Sequence, residues 1–93
     1  MKYESMVILK PLLPEDIRAG IQSKLDSLLK KFKGKIISQD NWGKRHLAYP
    51  IKKHEEGYYI VYQLDVVPSH IDELKKEFKL MNDILRFLII KKD

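Results

Sequence analysis

The chain of 93 residues contains no cysteine, only four prolines and four glycines, and a single tryptophan. The absence of cysteine excludes disulfide bonds, thiolate zinc sites and cysteine nucleophiles. No apolar run approaches the roughly 20 residues that a helix needs to cross a bilayer, and the amino terminus has no signal-peptide pattern. These absences predict a soluble cytoplasmic protein that does not interact with membranes.

The charge balance is positive. Eighteen lysine and arginine residues against 13 acidic residues give a formal net charge of +5 at pH 7. A basic protein favours an anionic partner such as a nucleic acid, although charge alone does not identify one. The length and the 44% hydrophobic fraction indicate one folded domain over residues 1–93, with a core of modest size.

The hydrophobic pattern predicts the element order strand, helix, strand, strand, helix, strand. The predicted strands are Tyr3–Lys10, Lys35–Ile51, Tyr58–Val67 and Ile84–Lys91, and the predicted helices are Glu15–Phe32 and a second one that begins at Ser69. We expect Gly34 to end the first helix. We expect Ser69 to cap the second helix, with Asp72 completing a capping box, and residues 52–57 to form a polar turn.

This order predicts an α+β ferredoxin-like sandwich (βαββαβ), a four-stranded antiparallel sheet with two helices on one face. The first and third strands are then central, and Pro50 supports an edge position for the second strand, because edge strands and bulges tolerate proline. Alternation along the third strand directs Tyr58 and Ile60 toward the helices and leaves Tyr59 on the uncovered face. The apolar residues of that face either form an exposed patch for docking a partner, or are present only because such residues favour strand formation.

One segment, Asn41–Ile51, concentrates groups that hydrogen-bond and stack. Its cations suit phosphates and its aromatic rings suit bases. Gly43 is expected to bend the strand and present Lys44 and Arg45. The rings of Trp42 and Tyr49 could stack on a base, pack on a partner protein or pack on the core of the chain itself. For Tyr49 the core and an interface are equally favoured, whereas Trp42 favours an interface.

No constellation of residues indicates catalysis. The turn after the first strand, residues 10–14, has neither a glycine cradle nor an arginine for a phosphate, and the three histidines have no metal-ligand spacing. Residues 56–63 imitate an RNA-recognition strand, but Glu56 has the wrong sign and Ile60 replaces a stacking ring. The sequence therefore predicts no catalytic residue, metal, cofactor or small-molecule substrate.

Several motifs together resemble the bacterial ribosomal protein S6 family of the small subunit. They are Trp42-Gly43-Lys44-Arg45, Leu47-Ala48-Tyr49-Pro50-Ile51, Gly57-Tyr58, Tyr3-Glu4 and Leu85-Arg86. The resemblance covers essentially the whole chain in the same element order. It implies a non-enzymatic protein of the cytoplasmic ribosome that binds the central domain of 16S ribosomal RNA as a heterodimer with ribosomal protein S18.

Candidate contact residues follow from these motifs and from the charges around them. The expected RNA contacts are Lys2, Tyr3, Lys44, Arg45, Arg86, Lys91 and Lys92. The expected partner contacts are Trp42, His46, Tyr49 and Tyr59. Arg86 is the only cation among apolar neighbours on the last strand, where an arginine is costly unless it has a partner. The alternative hypothesis is a protein-interaction module of the same fold that associates through its exposed sheet face or edge strand, with RNA contact incidental.

Overall fold

The computed structural model describes residues 1–92, so Asp93, included in the predicted domain, lies outside the described residues. The elements are β1 (Lys2–Leu9), α1 (Glu15–Lys31), β2 (Lys35–Ile51), β3 (His54–Asp65), a 3₁₀ turn (Pro68–His70), α2 (Ile71–Leu80) and β4 (Ile84–Lys91). The four strands form one antiparallel sheet in the order β2-β3-β1-β4. This arrangement confirms the predicted ferredoxin-like fold, with β1 and β3 central and β2 at an edge.

The main core lies between the sheet and the two helices. Every second residue of β3 points into it, and Ile60, Tyr62 and Leu64 are at most 4% exposed. The helices contribute buried leucines and Phe78, whose ring meets the edge of Phe87 on β4 at 5.1 Å between centroids. Each such apolar side chain contributes about 1.5–3 kcal/mol when it leaves water. The alternation seen in the sequence therefore assigned the helix-facing side of β3 correctly.

The start of the second helix differs from the prediction. Ser69 lies inside the 3₁₀ turn rather than at a helix cap, and α2 begins at Ile71 with no side-chain cap hydrogen bond. Pro68 occupies the first position of that turn, and the His70 N–H donates to the Val67 carbonyl at 3.0 Å. This tight turn occupies the position where a capping box would have formed, so the capping-box prediction was wrong.

Two residues end α1 in different ways: Lys33 adopts the left-handed conformation, and Gly34 allows a close approach to β3. Lys33, not a glycine, takes the left-handed conformation (φ 59°), and the Gly34 N–H donates to the Leu29 carbonyl at 2.6 Å, as in a helix-ending Schellman motif. Gly34 is needed for close approach, because a Cβ there would lie 2.6 Å from the Asp65 carbonyl oxygen. The helix thus ends where expected, but Gly34 contributes through lack of bulk rather than through positive φ.

The turn between β2 and β3 is shorter than predicted. Only Lys52 and Lys53 form it, and both have positive φ, 49° and 68°. Two consecutive residues at positive φ are typical of the two-residue turn that matches the twist of a hairpin. Residues 54–57 belong to β3, because a polar segment at the margin of a sheet can continue the strand with its side chains in water.

Candidate functional site

The side of the sheet away from the helices, here called the open face, carries stacked aromatic rings. The rings of Trp42 and Tyr59 have centroids 6.4 Å apart and planes 9° apart. The Trp42 indole N–H donates to the Asp40 carboxylate at 2.9 Å, which fixes the orientation of the indole. Leu88 and Ile90 on β4 are about half exposed on the same face. Trp42 itself is 42% exposed, so packing in the core of the chain is not its role.

The end of β2 bends over the open face. The β2–β3 register shifts at Asn41/Gly43 and again between His46 and Ile51, and Gly43 has φ 81°, which confirms the bulge expected at that glycine. Residues 47–51, here called the β2 arm, form one side of a half-open cavity of about 270 Å³ against the strands. Ile8 lines this cavity and is only 8% exposed although it lies on the open face. The open face is therefore partly covered by its own chain.

A contact between opposite edges of the sheet holds the β2 arm. The Arg86 guanidinium on β4 donates a hydrogen bond to the Tyr49 hydroxyl and lies 5.8 Å from the centre of its ring. Tyr49 remains 54% exposed, so it too is not a core residue. Arg86 was expected to be a cation in need of an external anion. This contact uses one of the five N–H donors of the guanidinium, which remains exposed, so an anion contact by Arg86 stays a prediction.

Three further predicted contacts follow one another along the β2 edge. Lys44 pairs with Tyr58, Arg45 with Gly57 and His46 with Glu56, and all three side chains are exposed. Because Tyr58 faces the helices, Lys44 lies on that side and its neighbour Arg45 on the open face. The bulge at Gly43 therefore does not bring the two cations onto one surface.

The remaining predicted contacts meet at the end of the sheet where β1 begins and β4 ends, here called the basic end. Lys2 and Lys91 are exposed, and Lys92 donates its backbone N–H to the Lys2 carbonyl at 2.9 Å and places its ammonium 3.1 Å from Glu4. Tyr3 differs. It is 7% exposed and belongs to the main core, so its ring is not available to a base. The shared alternation with Val7 and Leu9 carried this information in the sequence.

The electrostatics of the basic end are seen at Asp65, an acid that lies between two of its lysines. Asp65 pairs with Lys2 on one side and Lys35 on the other. The N-terminal ammonium, 3.1 Å from its carboxylate, lowers the pKa of Asp65 by hydrogen bonding and by charge, and Lys35 and Lys2 lower it further. Sequence reasoning did not include Lys35, although the crossover topology returns the chain to this end at that residue.

The histidines are dispersed. His46 lies on the β2 edge and His54 begins β3, whereas His70 stacks on Phe32 at 4.9 Å and lies 3.4 Å from Glu73. Within residues 1–92, no group of three or more histidine, aspartate or glutamate side chains is placed to hold a metal ion. In the same range, no helix has the length and apolarity required to cross a membrane.

The chain is similar to proteins of one family along nearly its entire length. The family model described as ribosomal protein S6 matches residues 2–91. Small ribosomal subunit protein bS6 of Caldanaerobacter subterraneus is 40% identical over 91 residues, which are 98% of this chain and 96% of that protein. The bS6 protein of Helicobacter acinonychis is 43% identical over 94 residues, which cover 98% of this chain and 64% of that protein.

A solved structure agrees with these sequence relatives. The crystal structure of 30S ribosomal protein S6 from Thermotoga maritima superposes with a TM-score of 0.89 at 30% sequence identity, covering 98% of this chain and 86% of that one. The match covers the two helices and the four strands of the fold. The chain therefore belongs to the ribosomal protein S6 family.

Proposed function

We propose that this protein is a structural component of the small ribosomal subunit that binds the central domain of 16S ribosomal RNA together with ribosomal protein S18. Membership of the S6 family places it in the small subunit of the cytoplasmic ribosome. Its proposed role is to bind and assemble rather than to catalyse. The observation that carries the proposal is the separation of a basic end from an aromatic open face on one four-stranded sheet.

The RNA is proposed to contact the basic end and the β2 edge. Lys2, Lys91 and Lys92 offer ammonium groups as point charges for phosphates. On the edge, Lys44 offers another, and Arg45 offers a planar fork that binds two phosphate oxygens at once. Tyr3 is left out of this surface because it is buried. Arg86 uses one donor on the Tyr49 hydroxyl but remains exposed, as Lys92 does beside Glu4, and it is kept as a proposed phosphate contact.

The protein partner is proposed to dock on the open face. Trp42 and Tyr59 supply a stacked aromatic surface, and exposed aromatic rings are enriched at the centres of protein interfaces. Tyr49 on the β2 arm extends this surface toward the edge. His46 lies on the β2 edge itself, on the same side of the strand as Lys44, and is proposed as a contact at that edge. Leu88 and Ile90 continue it with exposed apolar area that has no cover in the described chain.

The proposal is tested by binding a central-domain 16S RNA fragment in the presence of S18 over a series of salt concentrations. The double variant Lys44→Gln/Arg45→Gln is expected to weaken binding and to reduce the slope of log K against log salt by about 0.7–0.9 per lost phosphate contact. The matched control Lys76→Gln/Lys79→Gln removes the same charge from the exposed side of α2 and is expected to bind normally. Equal binding by both variants would refute the edge contact.

The open face also favours a second candidate function, a protein-interaction module for which RNA is incidental. Its support is the half-exposed apolar and aromatic surface formed by Trp42, Leu88 and Ile90. Capture of partners from lysate, with and without ribonuclease, separates the two functions. Retention of S18 after complete RNA digestion, with no RNA affinity in the reconstituted heterodimer, would favour this second candidate.

A further inference from the structure

The carboxyl end of α1 brings additional lysines to the basic end. Lys30 and Lys31 form the last turn of the helix, Lys33 follows it at positive φ, and Lys35 opens β2. Because α1 runs back along the sheet after β1, these residues lie where β1 begins and β4 ends. Lys35 and Lys2 flank Asp65 on neighbouring strands. The four strand ends span about 14 Å at the usual strand spacing.

These charges are not neutralised by neighbouring acids. Among residues 1–92, Lys30, Lys31 and Lys33 form no ion pair, and all three are exposed. Asp26, one turn before Lys30 on α1, forms no ion pair with it, and two acids near the strand ends are held by other cations. Asp65 is held by the N-terminal ammonium at 3.1 Å and Glu4 by Lys92 at 3.1 Å.

Stabilisation of the carboxyl end of α1 explains only some of the lysines in this cluster. Cations in the last turn interact favourably with the helix dipole, which accounts for Lys30 and Lys31. Lys33 and Lys35 lie beyond the helix, and Lys33 adopts a backbone conformation that glycine would adopt more easily. The N-terminal ammonium, and to a smaller extent Lys35 and Lys2, lower the pKa of Asp65, which is consistent with a concentration of positive charge at this end.

The chemistry of the surface selects the backbone of a nucleic acid. Tyr3 and Phe32 are 7% and 3% exposed, and the His70 ring is stacked on Phe32, so the surface presents mainly lysine ammonium groups. Lysine ammonium groups act as point charges that contact phosphates without reading sequence. A broad row of such charges suits the phosphates of a folded or double-stranded RNA, which proteins recognise largely by shape and backbone.

We infer that Lys30, Lys31, Lys33 and Lys35 extend the basic end onto the carboxyl end of α1 and form a phosphate-binding surface for the RNA backbone. The inference rests on the proposed RNA-binding function and adds residues that the motif-based prediction did not contain. It predicts a contact that is insensitive to base sequence and sensitive to salt.

The test compares three triple variants with the wild-type protein in complex with S18. The variant Lys30→Gln/Lys31→Gln/Lys33→Gln removes three charges from the surface. The matched control Lys24→Gln/Lys76→Gln/Lys79→Gln removes three charges from exposed helix positions away from this end. The variant Lys30→Arg/Lys31→Arg/Lys33→Arg retains the charges. Binding is measured against the central-domain RNA fragment and against an unrelated RNA duplex, from 50 to about 300 mM salt.

The glutamine variant is expected to lose about two units of salt slope, and about ten-fold or more in affinity at 100 mM salt, for both RNAs. The control and arginine variants are expected to stay within about two-fold of wild type. A glutamine variant that matches the control would overturn the inference while the proposed function stands. Absence of RNA binding by the wild-type heterodimer would overturn both.

Discussion

Two glycines in this chain are predicted to respond to the same substitution with opposite signs. Gly20 lies in the middle of α1 at an exposed position, and a Cβ placed there meets nothing within 4 Å. A Cβ at Gly34 would meet the Asp65 carbonyl oxygen at 2.6 Å and two Val66 carbons at 3.1 and 3.2 Å. Neither glycine has a positive φ, so alanine is not strained at either position by the backbone. The two substitutions therefore differ mainly in the space that is available for the new methyl group.

The expected magnitudes follow from these distances. Gly20→Ala removes the entropic penalty of glycine in a helix and raises the free energy of unfolding by about 0.5–1 kcal/mol. Gly34→Ala gains a similar entropic benefit, but it forces a methyl group into the β3 backbone, which cannot move as a side chain can. Overpacking of this kind costs about 1–3 kcal/mol, so the net effect is destabilising.

Urea unfolding followed by circular dichroism measures both changes, with the wild-type protein as reference. A change of 1 kcal/mol corresponds to about 4–8 °C in Tm for a domain of this size, so a thermal melt provides an independent check. Stabilisation by Gly34→Ala equal to that by Gly20→Ala would refute the close approach of Gly34 to Asp65. It would also mean that position 34, just before β2, does not require glycine for lack of space.

Three further predictions concern buried hydroxyls and the β2 arm. The Ser5 hydroxyl is buried without a hydrogen-bond partner in the described residues, so Ser5→Ala is expected to raise the free energy of unfolding by about 1 kcal/mol; clear destabilisation in urea would contradict this. Burial, with a smaller effect of Asp26, raises the pKa of Tyr62 from 10.0 to about 12. The contribution of Tyr62 to stability is therefore complete below pH 10 and lost as the pH rises toward 12. The difference in free energy of unfolding between the wild type and Tyr62→Phe, measured from pH 9 to about 12, should show this loss. Tyr49→Phe removes the acceptor for Arg86 and should increase hydrogen exchange in residues 47–51 while leaving the main core protected, whereas unchanged exchange there would mean that this contact does not hold the arm.

The bounds of two strands were predictable because their limits are local. Lys35–Ile51 and Ile84–Lys91 match the structure, since turn residues bound the first strand and a polar break precedes the second. The second helix start was not predictable from its capping pattern, because the turn that Pro68 begins took precedence. Local patterns thus compete with one another, and the sequence does not reveal which one forms.

The candidate site shows a different limit. The position of Tyr59 on the open face follows from alternation along the third strand, and the burial of Tyr3 could have been inferred in the same way. The hydrogen bond from Arg86 to Tyr49 could not, because it joins opposite edges of the sheet and depends on how far the β2 arm bends. Contacts of this kind depend on three-dimensional curvature, which no spacing of residues in the chain specifies.

The division between the basic end and the open face is tested most directly by lysine footprinting with an acetylating reagent and mass spectrometry. The protein is treated alone, with S18, and with S18 and the central-domain RNA. We expect Lys91 and Lys92 to remain reactive in the heterodimer and to become protected only when RNA is added. Protection of these lysines by S18 alone, or their full reactivity in the ternary complex, would contradict the proposed division.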